Sequence, residues 1–128
     1  MKLLPMVALA TLLLAPAAQA HEDLTIAALD RLQIHLGSTF ACEPVLDHSY
    51  VEAARATAQA SLQRLGMSAE DAGAVVAQAE IKLRGQAAQT AELVASQPLT
   101  SASRFCLDQY TRTRDSFDHA MTQALPTI

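Results

Sequence analysis

Residues 68–98 read SAEDAGAVVAQAEIKLRGQAAQTAELVASQP. Ala72, Val76, Ala79, Leu83, Ala87, Thr90 and Val94 recur there with a near-heptad period, the spacing that gathers side chains on one face of an α-helix. Ser68 is placed to cap the start, with Glu70 and Asp71 in the first turn. Asp71 stands where a capping box carries Glu, so its reach is shorter. Gly85 weakens the middle by up to about 1 kcal/mol relative to Ala and marks a kink or a close contact. Pro98 stops the helix, which the pattern carries to Ser96.

The same grammar extends in both directions. A fourth helix is predicted from a Thr100 or Ser101 cap to about Leu125, ended by Pro126. Cys106, Tyr110, Thr113, Phe117 and Met121 form its stripe. A second helix covers Asp47 to Leu65, with Asp47 as N-cap and Tyr50, Ala54, Thr57, Ser61 and Leu65 on one face. Gly66 suits the left-handed position just past its end. A first helix covers Asp23 to Ala41 through Ile26, Leu29, Leu32, Leu36 and Phe40, and Glu43-Pro44 ends it.

Four helices joined by short loops predict an all-α fold, an antiparallel up-down four-helix bundle. At about 1.5 Å per residue the third helix is roughly 40 Å long and the first two nearer 27 Å. One end of the third helix then projects, or the helix breaks at Gly85. The chain has no Trp, two Tyr and three Phe. An all-β core needs more aromatic and β-branched residues than that.

Lys2, the apolar run Leu3–Leu14, the break at Ala15-Pro16 and the small residues of Ala18-Gln19-Ala20 form a secretory signal peptide, residues 1–20, cleaved after Ala20. A spanning helix needs about 20 apolar residues, and this run is shorter. His21, not cysteine, follows the cleavage point, which excludes a lipoprotein. One domain, residues 21–128, remains, and the protein is expected in the periplasm of a Gram-negative cell, or secreted from another source. Without Lys2 the chain keeps 8 basic and 13 acidic residues, a net charge of −5. That balance excludes nucleic acid, whose affinity comes from basic side chains on phosphates. It also gives no pull toward anionic membranes after cleavage.

An oxidising compartment favours pairing the two cysteines, Cys42 and Cys106. Cys42 ends helix one and Cys106 lies in the second turn of helix four, which the up-down topology puts at the same pole. Closing this loop is worth about 4 kcal/mol by chain entropy. A redox pair has Cys-x-x-Cys spacing, and a thiolate metal site needs further ligands nearby.

The histidines are His21, His35, His48 and His119. Cleavage makes His21 an N-terminal residue whose amine and imidazole together suit Cu(II). The topology carries His119 and Met67 to the same pole, with Asp115 placed to orient the His119 ring. These define a copper site as an alternative reading. Haem is a second carrier reading. Covalent attachment needs the absent Cys-x-x-Cys-His, so Met121 is the one core candidate. His35 and His48 read as surface or rim residues. Gly-x-Ser-x-Gly, phosphate-cradling glycine loops and His-Glu-x-x-His are all missing. Glu80 with Arg84, Arg104 with Asp108 and Arg112 with Asp115 read as exposed helix pairs. The expected function is non-enzymatic, with no cofactor: an exported binding or protein-interaction module. Its partner is another exported protein, with Arg112 to His119 as the first place to look for contact.

Overall fold

The structure, a computed structural model, describes the backbone of residues 4–125 and the side chains of residues 20–125. Those residues form four helices and no strand: α1 (Leu4–Ala41), α2 (His48–Arg64), α3 (Ala69–Ala95) and α4 (Leu99–Ala124).

The punctuation read from sequence acts as expected at most ends. The Asp47 carboxylate accepts from the Ser49 N–H at 3.1 Å, and the Ser68 hydroxyl accepts from the Asp71 N–H at 3.1 Å. Gly66 takes φ +107°, a conformation that a Cβ would strain. α3 runs unbroken through Gly85, and nothing lies within 4 Å of where a Cβ would stand there. Gly85 therefore marks no close contact. Pro126, the expected stop of α4, lies outside the described residues.

Two ends differ. α4 starts at Leu99 behind Pro98, not behind a Thr100 or Ser101 cap. The Pro98 carbonyl accepts from the Ala102 N–H at 3.0 Å, and its ring fixes φ near the value a helix entry needs. The second departure is larger. α1 begins at Leu4 rather than Asp23 and passes through Ala15-Pro16 without interruption. Ala and Leu are the strongest helix formers, and a proline removes one ladder hydrogen bond without forbidding the rest.

α1 is the organising element. It packs against α4 most extensively, then against α3, then α2. Ala28, Leu32, His35 and Thr39 line its buried side with Leu36 and Phe40. Ile26, expected in this stripe, is 56% exposed, because the inward register runs through Ala28 instead. α4 meets α1 with the stripe read from sequence: Cys106, Tyr110, Phe117 and Met121 are buried. Ala54, Ala58 and Ala72 are fully covered on α2 and α3, and such small side chains let helix backbones approach closely. Burying a side chain such as Leu36 or Phe117 contributes about 1.5–3 kcal/mol. A smaller cluster of Cys42, Leu46, Val94, Ala102 and Cys106 closes one end. The disulfide there joins Cys42 to Cys106, with Cα atoms 5.6 Å apart.

The helices do not share their surfaces evenly. α3 and α4 follow each other through a three-residue link, yet they scarcely touch. Beyond Leu83, α3 offers Gln86, Ala87 and Thr90 toward that side. These are too small or too polar to close the space. Thr90, read as part of the apolar stripe, is exposed.

Candidate functional site

The gap between α3 and α4 is a groove of about 420 Å³. Its floor is α1 at Gly37, Ser38 and Ala41, with Cys42 just past the helix end. Leu83, Gln86, Ala87, Thr90 and Val94 form the α3 wall, and Phe105 and Gln109 the α4 wall. No lining side chain is charged, and Ser38, Gln86, Thr90 and Gln109 supply its polar groups. Phe105 is 57% exposed. Gly37 keeps the floor low: a Cβ there would stand 3.7 Å from Leu83 Cδ2. The volume falls within the range of ligand pockets. A second, smaller cavity of about 200 Å³ lies between α1, α2 and α3, walled by Leu29, Met67 and Val75 among others.

On the far side of α3 sits a chain of charges. Arg55 of α2 donates to Glu80 of α3 through Nη2 at 2.8 Å, and Arg84 Nε donates to the same carboxylate at 2.9 Å. Arg84 also donates to Glu43, just past α1, and its guanidinium stacks 4.5 Å above the Phe40 ring. The Arg55 hydrogen bond is the main reason that Glu80 is held down to about 2; partial burial opposes it, and Arg84 adds to it. Glu80–Arg84, read as an exposed helix pair, is thus part of a clamp that joins α2, α3 and the turn after α1. Each of the four charged groups has a hydrogen-bond partner in the network.

The seam between α1 and α4 holds the one residue that sequence reading misplaced most. His35, read as surface or rim, is fully buried. Its Nδ1 lies 2.7 Å from Thr113 Oγ1, its ring packs 4.9 Å from Tyr110, and Tyr110 meets Tyr50 edge-on. Its Nε2 is the single buried side-chain nitrogen or oxygen among the described residues with no partner. Burial is the largest cause pushing its pKa down to about 4; Arg114 pushes the same way and Asp118 opposes. The clue was available in the spacing. Ala28, Leu32, His35 and Thr39 follow a heptad-like 4-3-4 step, so His35 occupies a core position of the same helix face.

The residues singled out for copper stand apart in character. His21 is exposed, and its carbonyl accepts from Thr25 Oγ1 at 3.0 Å. His119 is exposed, with Nε2 3.3 Å from Gln123 Nε2. Met67 is half-buried against the core. Asp115 faces Arg114 at 3.8 Å, with no hydrogen bond to His119. Among the described residues no group of three or more His, Cys, Asp or Glu is placed to hold a metal ion. Met121, the haem candidate, is buried in the main core cluster. His48 is exposed beside Glu52. Arg112 pairs with Asp108 at 3.0 Å, not with Asp115 or leaving Asp108 to Arg104. The Arg112–His119 stretch is mostly exposed and lies outside the groove lining. No helix among the described residues is long and apolar enough to cross a membrane.

Comparison of the chain with protein-family models, with curated proteins and with solved structures finds no match.

Proposed function

We propose that this protein is an exported, non-enzymatic interaction module that receives an amphipathic helix of another exported protein in its α3–α4 groove. In this reading residues 1–20 are a signal peptide and the chain from His21 onward works in the periplasm as an antiparallel up-down bundle. The pairs Cys42–Cys106 and His35–Thr113 support that direction for α1 and α4. Gln59 to Ala69 and Arg55 to Glu80 support it for α2 and α3.

The groove is the observation that carries the proposal. From Leu83 to Val94 it extends about 16 Å, room for roughly three helical turns. Its floor is made of small residues and its walls of uncharged ones, which suits the apolar stripe of an incoming helix. A second copy of the chain is a poorer occupant, since the mature net charge of −5 is the same on both.

Purification from its native compartment tests this. The wild type should bring down a defined protein that Phe105→Asp and Thr90→Asp release and Ile81→Asp retains. Ile81 lies nine residues from Thr90, half a helical rotation away, and is 72% exposed. Release by Ile81→Asp alone, or a concentration-dependent dimer in place of a partner, would overturn the assignment. The intact mass of the exported protein should begin at His21.

A further inference from the structure

We propose that the α1–α4 seam is an acid-sensitive latch, with His35 as the group that takes up the proton. The contact between His35 and Thr113 fits either imidazole tautomer; the latch uses the one in which Thr113 keeps the bond to its own helix. The Thr113 hydroxyl donates to the Gln109 carbonyl at 2.8 Å, leaving its lone pairs to accept from His35 Nδ1–H at 2.7 Å. Neutral His35 then carries its lone pair on Nε2, buried and without a donor. The closed seam accepts that form at the cost of one unmade hydrogen bond.

Protonation changes the chemistry of the same spot. An imidazolium presents a second N–H and a full charge to a site with no exposure and no acceptor. On α4, Tyr110 packs on the ring, Arg114 repels the cation, and Asp118 attracts it without a hydrogen bond. From α2, Tyr50 reaches the site through Tyr110. The charged groups of α3 along this level, Glu80 and Arg84, are engaged with Arg55 and Glu43. The cation gains solvation or contact with Asp118 only when α4 draws away from α1.

The geometry also limits how the seam opens. His35 lies seven residues before Cys42, and Thr113 seven residues after Cys106. The latch is therefore two turns from a covalent hinge on both helices, and opening starts at the end away from the disulfide, where Phe117 and Met121 sit. The sign follows from linkage: the closed state binds a proton less tightly than the open one, so its advantage shrinks as pH falls from about 6.5 to about 4. Across that window the closed-to-open ratio should fall by up to about 300-fold.

The chain supplies its own reporter. It has no Trp, and its two tyrosines, Tyr50 and Tyr110, meet beside His35. Near-ultraviolet circular dichroism of the oxidised protein from pH 7.5 to 3.5 therefore reads this site directly. The tyrosine signal should fade between pH 6.5 and 4, and in His35→Gln the midpoint should drop into the range where carboxylates titrate. An unchanged midpoint in His35→Gln would overturn the proposal. Should that variant not fold, NMR titration of the wild-type His35 ring decides: proton uptake coinciding with loss of tyrosine dichroism supports the latch, and uptake at any pH with the tyrosine signal intact refutes it.

Discussion

The two flanks of α4 are built on opposite principles. Toward α1 it is joined by a disulfide, a buried histidine–threonine hydrogen bond and a stripe of large apolar side chains. Toward α3 it offers Phe105 and Gln109 across an open groove. α4 is thus fastened on its α1 side and open on its α3 side, the flank on which the proposed partner helix would sit. α3 shows the complementary arrangement. Its α2-facing side is held by the Arg55–Glu80–Arg84–Glu43 clamp, and its α4-facing side lines the groove.

The strongest way to break this contrast is to cut the staple. Cys42→Ser with Cys106→Ser opens a 64-residue loop, and the loss of stability should approach about 4 kcal/mol, measured by urea unfolding at pH 7. Next comes acid. The His35 shift to about 4 implies a loss of up to about 3 kcal/mol as pH falls from 6.5 to 4, and His35→Gln should flatten that part of the stability–pH profile.

Glu80 titrates lower and on a different flank. Its folded form is held down to about 2 from 4.5, so its contribution is complete above pH 4.5 and disappears as pH falls toward 2. The clamp is partly exposed, which discounts its value; Glu80→Gln should cost about 1 kcal/mol at pH 7 and remove only this lower step. The smallest effect belongs to the open flank. Phe105→Ser should change stability by less than about 0.5 kcal/mol, because its side chain is already more than half exposed. A loss of several kcal/mol there would mean that Phe105 is core and the groove is closed in solution.

Local rules made the frame legible. Asp47, Ser68 and Gly66 act where their chemistry requires, and the α4 stripe is buried almost residue for residue. The cysteine pairing was legible from two signs together, an expected oxidising compartment and a helix order that puts Cys42 and Cys106 at one pole. What escaped the sequence depends on which face meets which neighbour. His35 shares the spacing of core leucines, but its polarity concealed the position, and Thr113 lies 78 residues away. Glu80–Arg84 is visible as an i,i+4 pair, whereas Arg55 and Glu43 enter only when α2 and the end of α1 are brought alongside. Thr90 has the right period for a core yet lies where α3 has no partner helix. The groove itself had no local signature, because it arises from α3 and α4 each choosing α1.

A photo-activatable residue placed at position 105, with another at position 81 as the control, tests the central claim most directly. The expected result is a crosslink from position 105 to an amphipathic helix of one exported protein, absent from position 81 and abolished by Thr90→Asp. Equal crosslinking from both positions, or a crosslink from position 105 to a second copy of the chain, would contradict it.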